Sequence, residues 1–326
     1  MPPGLKPALW QAAKIAVPVL SSVLALVIVG QFIDWRAALD DALRAPPWAM
    51  AAGVALIWLQ LSLCGLRLRL LALSFGAEMP LRAATSVWSL SYLGGLVLPT
   101  SVGSELVKGA ALLGWTRLPV TIIGLLALER LAAILALLLL VLIAAPLAAW
   151  RIGSEYALPL GMLCALAFAA ICFGLAMRQR AAAGLRWLLT ACRVPVGVVD
   201  KLVAAVGAAP LGRVVGLSLA IHLMTLIVLG LLLFSFSSPS PLLEAALGGP
   251  LVTFASLLPI SVGGFGVREG AFILVLGPMG VDASQAVGVA LAWWGVQVMA
   301  GLTAAATAAA WLLASRQKRV QRELSA

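Results

Sequence analysis

Two stretches of the chain combine proline, glycine, serine and ionised side chains in a repeated pattern. The sequence LPTSVG occupies residues 98–103 and LPISVG occupies residues 258–263, so their prolines lie 160 positions apart. A glutamate and a cation follow each copy: Glu105 and Lys108 after the first, Arg268 and Glu269 after the second. Backbone amides, hydroxyl groups and cations are the groups with which proteins bind phosphate. The repeat therefore predicts an anion site with a phosphate group as its ligand.

Helix polarity explains how each motif would form half of such a site. A proline removes a backbone donor and a glycine loosens the helix, so each motif predicts a break with unpaired backbone groups. A helix that begins after the break directs its free N–H groups and the positive end of its dipole toward it. We predict breaks at Pro99, Gly103 and Pro259. The predicted substrate-binding residues are Ser101, Ser104, Glu105, Lys108, Glu129, Arg130, Ser261, Gly263, Gly264, Arg268 and Glu269.

The acidic members of this set have two interpretations. Glu105 and Glu269 lie beside the cations, and Glu129 precedes Arg130 deep inside a long apolar run. They either neutralise the cations as structural ion pairs or take part in function. The functional alternatives are contact with a zwitterionic or cationic lipid headgroup, or proton coupling through a buried carboxylate. The sequence leaves both interpretations open.

The elements that must position these residues are membrane helices. Of the 326 residues, 63% are hydrophobic and 10% are charged, and several apolar runs exceed the roughly 18 residues that cross a bilayer. The net charge of +10 comes from clusters between apolar runs, which is typical of the positive-inside rule rather than of nucleic-acid binding. The four cysteines and the lone His222 lack metal-site spacing, so we predict no metal and no cofactor.

The fold class predicted is an all-α polytopic membrane protein with about six full spans plus two re-entrant helical hairpins arranged as an inverted repeat. The full spans are expected at about 15–33, 48–71, 120–150, 157–176, 214–236 and 284–314. The segments 83–115 and 242–276 contain the motifs, and their halves are too short to cross about 30 Å of hydrocarbon. The 160-residue offset relates two halves, about 10–150 and 155–315. Each half makes three crossings, so the halves have opposite orientation.

Charge predicts the sidedness of a single transmembrane domain, 1–326, in the inner (cytoplasmic) membrane. The basic tail 316–326 is expected in the cytoplasm because it is the densest cationic cluster. The opposite side, called the far side below, would carry the loops at 34–41, 151–155, 237–240 and 282. The scheme requires each hairpin to return to the side from which it entered.

The motifs resemble those of the transmembrane region of lysylphosphatidylglycerol synthases, a flippase-like family. The resemblance rests on LPTSVGSELVK at 98–108, on Glu129-Arg130, and above all on LPISVGGFGVREG at 258–270. Lys108 stands where the family is expected to have arginine, and Ser104 where glycine is common. In two-part members this region is linked to moving aminoacylated phospholipids between leaflets. In those members the aminoacyl-transferase domain would follow the last span. In this sequence the basic tail 316–326 stands there, so we do not expect this chain to make lysyl-lipid.

These observations together favour a transporter over an enzyme. The expected function is translocation of a phospholipid or polyprenyl-phosphate-linked lipid between leaflets, with the phosphate bound at two opposed hairpin tips. The expected partner is a membrane lipid with an anionic or zwitterionic headgroup. The alternative is a membrane-embedded transferase, or an accessory subunit of a membrane enzyme, acting on polyprenyl-linked sugars, because some relatives are tied to lipid-linked sugar transfer.

Overall fold

A computed structural model gives the architecture. It describes residues 20–98, 103–116, 119–152, 154–176, 207–238, 240–257 and 264–325, together with residues 197, 200, 204 and 261. None of these residues lies in a β-strand. The helices are α1 (Leu20–Val29), α2 (Trp35–Leu43), α3 (Pro47–Ser74), α4 (Leu81–Val97), α5 (Gly103–Leu112), α6 (Pro119–Ile152), α7 (Ser154–Ala176), α8 (Leu211–Ser235), α9 (Pro241–Leu257), α10 (Val267–Leu276) and α11 (Ala283–Ser325), with a 3₁₀ turn at Gly277–Met279.

Four helical segments in the described part of the chain are long and apolar enough to cross a membrane. They are Pro47–Ser74, Thr121–Ala144, Leu211–Ser235 and Ala283–Ser315. This confirms an all-helical membrane protein, in which each span satisfies its own backbone hydrogen bonds away from water. The predicted span at 157–176 corresponds to α7, which is not among these four, and the first predicted span, 15–33, begins outside the described residues. The count of six spans therefore stays a prediction.

Two pairs of short helices lie at the repeated motifs, and their lengths match. α4 and α9 each contain 17 residues, and α5 and α10 each contain 10. The 160-residue offset places α4 on positions 241–257, which is the range of α9. At 1.5 Å per residue the longer helices reach about 26 Å and the shorter ones about 15 Å. The same offset places α5 on positions 263–272, four residues before α10, so the repeat keeps its register in the helix before the motif and matches only in length in the helix after it.

The chain divides into two compact units, and both draw on each predicted half. The first unit contains Met1–Trp58, Ser89–Val107 and Thr225–Ala306, and the second contains Leu59–Trp88, Lys108–Met224 and Thr307–Ala326. In the second unit, Leu68, Ala84, Leu112 and Leu125 bring α3, α4, α5 and α6 into one buried core. In the first, Val29, Ala38 and Val287 pack α1 and α2 against α11. These cores fix the helices that carry the ionised residues.

Glycines allow α4 and α5 to pack closely where the chain turns at the first motif. A Cβ on Gly94 would lie 2.7 Å from Val107 Cγ2, and one on Gly95 would lie 3.1 Å from Ser104 Cβ. Both contacts join the end of α4 to the start of α5. At the second motif, a Cβ on Gly248 of α9 would approach the Val275 side chain of α10 to 3.2 Å. Small residues let membrane helices approach in this way.

We expect G94A to destabilise the protein, although alanine is normally the better helix former. The added methyl group would overlap Val107, whose branched side chain has little freedom to move, and overpacking costs about 1–3 kcal/mol. The matched control is G216A, because a Cβ built there has no contact within 4 Å from the described residues beyond its own helix. G216A should be neutral or stabilising by up to about 1 kcal/mol. Unfolding in mixed detergent measures both, and equal effects would contradict the close packing.

Candidate functional site

One carboxylate in the second unit joins side chains from three other helices. Glu129 of α6 accepts a hydrogen bond from Lys108 Nζ of α5 at 2.8 Å and contacts Arg67 Nη2 of α3 at 3.3 Å. Trp88 of α4 donates its indole N–H to Glu129 Oε1 at 2.8 Å. The side chains of Arg67, Lys108 and Glu129 are 4%, 1% and 3% exposed, so water does not screen their charges. We call Arg67, Trp88, Lys108 and Glu129 the buried ion cluster.

Two further contacts fix the cations of this cluster. Arg67 Nη1 donates to Ser218 Oγ of α8 at 2.8 Å, and the Ser218 hydroxyl donates to the Val214 carbonyl at 2.9 Å. Lys108 Nζ lies 3.8 Å from the centre of the Trp88 ring, where a cation is attracted to the aromatic face. Arg67 Nε is buried and has no hydrogen-bond partner among the described residues. The arginine therefore retains a donor that could hold an anion.

The structure brings Lys108 and Glu129 together, as two members of the predicted set, and adds three residues that sequence reasoning missed. Arg67 is outside the predicted set. It lies 3% exposed within the apolar helix α3, and an arginine inside an apolar helix is itself the signal that could have identified it. Trp88 and Ser218 carried no signal in the sequence, because only the packing of α4 and α8 brings them near the cations.

At the second motif the ionised residues neutralise each other locally. Arg268 Nη2 lies 2.5 Å from Glu269 Oε1, and both side chains are almost completely buried. Glu269 Oε2 also accepts the Gly266 N–H at 2.6 Å, which caps the start of α10. Gly266 has φ +81° and lies against α1 at Ala25, so glycine is required there both by conformation and by space. The N-terminus of α10 thus already holds an anion, and that anion belongs to the chain.

The remaining predicted residues lie around these two places or outside the described residues. Ser261 and Gly264 are buried near the start of α10, and Gly264 has φ +84°. Ser104 and Gly103 pack on the end of α4, while Glu105 and Arg130 are half-buried. Pro99, Ser101, Pro259 and Gly263 lie outside the described residues. In the described part of the chain, no group of three or more histidine, cysteine or acidic side chains has the geometry to bind a metal ion.

Arg268 and Lys108 occupy equivalent positions in the repeat, but their carboxylate partners differ in origin. Lys108 reaches a carboxylate on another helix, and Arg268 reaches the next residue along its own helix. Buried ions stay charged only where such partners compensate the lost hydration. Chemically, each arrangement can bind an anion if that anion shares or displaces the carboxylate.

We expect E129Q to destabilise the protein by about 3–5 kcal/mol, because it leaves two buried cations without their carboxylate. The exposed Glu78 offers a matched control, since E78Q should change stability by less than about 0.5 kcal/mol. Removing Lys108 together with Glu129 should cost less than the sum of the single changes. A double-mutant cycle with K108M and E129Q, measured by unfolding in detergent, tests this. Strictly additive effects would show that the ion pair does not couple the two helices.

Comparison with known proteins places the chain in a family. The family model described as the lysylphosphatidylglycerol synthase TM region matches residues 15–320, nearly the whole chain. No curated protein and no solved structure matches the chain. The match covers both motifs, the buried ion cluster and the four candidate spans. The chain therefore belongs to the lysylphosphatidylglycerol synthase transmembrane-region family and is a membrane protein of lipid metabolism or transport.

Proposed function

We propose that the protein moves a phospholipid or a polyprenyl-phosphate-linked lipid between leaflets and binds its phosphate at the buried cations of the two hairpins. The observation that carries this proposal is the buried ion cluster, which places Arg67 and Lys108 inside a bundle of membrane helices. Ionised residues in such places are costly and commonly mark the path of a polar substrate. A phosphate is the polar part that phospholipids and polyprenyl-phosphate lipids share.

Arg67 is the residue best placed to recognise a phosphate. Its two terminal nitrogens bind Glu129 and Ser218, while the buried Nε–H has no partner among the described residues. A guanidinium group presents several donors in a plane and binds two oxygens of one phosphate at once. An oxygen of an entering phosphate would accept a hydrogen bond from the Arg67 Nε–H, and the phosphate would share Arg67 and Lys108 with Glu129. The indole ring of Trp88 would hold Lys108 in place.

The second hairpin binds the phosphate less readily because Glu269 occupies the place of the ligand. The carboxylate accepts from the Gly266 N–H and from Arg268, which are the donors expected for a phosphate at a helix N-terminus. Binding there requires Glu269 to turn away or to take up a proton. The acids in this scheme gate the cations as well as neutralising them.

The two motif segments act as re-entrant hairpins in this proposal. α4, α5, α9 and α10 are all shorter than the roughly 30 Å hydrocarbon core. Ser237 precedes α9 and Asp282 follows α10, and both line one cavity in the first unit. This supports a second hairpin whose two ends both lie at this cavity. Irregular backbone at the tips is tolerated where protein or a polar cavity surrounds it.

Transport is tested with purified protein in liposomes that carry fluorescent phospholipids, lipid-linked sugars, or a glycolipid without phosphate. We expect movement of one phosphate-bearing class and none of the glycolipid. R67K keeps the charge next to Glu129 but removes the Nε–H, so transport should fall about tenfold while the melting temperature stays within a few degrees. Transport of no class above that of protein-free vesicles would overturn the proposal. Chemical conversion of a lipid-linked sugar without movement would favour the transferase alternative.

A second test addresses hairpin orientation with single cysteines in a cysteine-free background. Gly114 follows α5 and Gly277 follows α10, and both are exposed. An inverted repeat with two re-entrant hairpins places them on opposite sides of the membrane. G114C and G277C should therefore react with an impermeant maleimide from opposite sides of oriented vesicles. Labelling of both from the same side would exclude the inverted arrangement without bearing on which lipid is moved.

A further inference from the structure

A cavity of about 390 Å³ lies in the first unit, away from the motifs and their cations. It is lined by residues from the end of α2, from the turn after α8, and from the start of α11, among them Asp41, Arg44, Phe236, Ser237, Asp282 and Gln285. Three loops that the sequence assigned to the far side thus meet at one cavity. Nothing in the proposed translocation mechanism uses these residues.

The charged side chains of the cavity do not neutralise one another. Asp41, Arg44 and Asp282 line the same space, yet no ion pair joins them within the described residues. Asp282 Oδ2 accepts the Ser284 N–H at 2.9 Å, which orients that carboxylate at the start of α11. Two carboxylates and one guanidinium group that face one cavity without pairing are available to a ligand of complementary charge.

The walls of the cavity are held by specific contacts. Gln285 Nε2 donates to the Phe236 carbonyl at 2.6 Å, which ties α11 to the turn after α8. Ser237 in that turn has φ +58°, the one non-glycine residue with positive φ in the described part of the chain. Gly288 lets α2 approach α11, since a Cβ there would lie 3.0 Å from Asp41 Cβ. Such strain and close packing persist where the surrounding structure fixes them, as at binding sites.

Helix α2 carries an exposed apolar stripe on the face opposite the cavity. Trp35, Leu39 and Leu43 are spaced four residues apart and are 38%, 52% and 75% exposed, so they form an apolar stripe. Ala38 is fully buried, and Asp41 lies on the side of the helix opposite the stripe. A short amphipathic helix with an exposed tryptophan and leucines is typical of an element lying in the membrane interface. This pattern predicts that α2, and with it the cavity, lies at the depth of lipid headgroups.

We propose that this cavity binds the headgroup of a zwitterionic phospholipid, one that carries an ammonium group and a phosphate. Asp41 and Asp282 bind the ammonium group, and Arg44 binds the phosphate. A volume of about 390 Å³ is at the small end of ligand sites and suits a headgroup without its acyl chains. This binding does not require translocation, so it stands or falls separately from the transport proposal.

The test measures binding of short-chain lipids to the purified full-length protein in a non-ionic detergent. The probes are dihexanoyl phosphatidylethanolamine and dihexanoyl phosphatidylglycerol, which differ in the ammonium group. We expect the first to bind at least tenfold more tightly. D41N and D282N should weaken its binding about tenfold and leave phosphatidylglycerol unaffected, whereas R44Q should weaken both lipids. The matched control is D40N, because Asp40 is exposed and does not line the cavity.

Three outcomes would overturn the proposal. They are equal affinity for the two lipids, unchanged affinity in both aspartate variants, and binding of calcium alone that phosphatidylethanolamine does not displace. Thermal unfolding of each variant shows that a loss of binding is not a loss of fold. If D282N unfolds because it weakens the start of α11, D41N still decides the question. G288A gives a further measurement, since it displaces Asp41 without changing a charge.

Discussion

The fold depends on ionised side chains that are buried away from water and compensate one another's charge. Glu129 receives hydrogen bonds from α3, α4 and α5, and Arg67 extends this set to Ser218 of α8. In water such pairs would contribute little, but in a dry bundle each ion is tolerated only because the others are present. The helices that carry them are therefore not free to slide or rotate independently. Apolar packing around Leu68, Leu112 and Leu125 then fills the remaining space.

The repeat is preserved in its cations and helix lengths but not in its acids. The 160-residue offset places Lys108 on Arg268, whereas it places Glu129 on Val289 and Arg67 on Ile227. The second cation therefore cannot be compensated as the first one is, and Glu269, which falls on Gly109 in the first copy, replaces the distant carboxylate. Lys108 links α5 to α6 through Glu129, whereas Arg268 pairs with Glu269 within the first turn of α10. The two cations of the repeat are thus held in different ways.

The contrast between local contacts and contacts from distant helices also separates what the sequence predicts from what it does not. The short helices beside each motif followed from proline, glycine and the apolar pattern, which act locally, and the family followed from the same motifs. The predicted breaks at Pro99 and Pro259 lie outside the described residues, and Gly103 begins α5. The pairing of Glu269 with Arg268 is local too, but the choice between capping a helix and binding a substrate was not visible in the residue types. The contacts of Arg67, Trp88 and Ser218 join five helices and depend on rotation about each helix axis. An apolar helix with a weak pattern does not specify that rotation, because lipid and protein neighbours are almost equally apolar.

The charges buried among the helices are paired, whereas the charges that line the cavity are not, and burial explains this difference. Lys108, Glu129 and Arg268 are at most 3% exposed, and each has an ionic partner within 4 Å. Arg44 is exposed and Asp41 is half-exposed, so water can stabilise them without a partner. A ligand at the buried ion cluster would compete with Glu129 for Arg67 and Lys108, whereas a ligand in the cavity would find Arg44 without an ionic partner among the described residues. For the same headgroup, the cavity would therefore favour affinity, and the buried cluster would favour discrimination between headgroups.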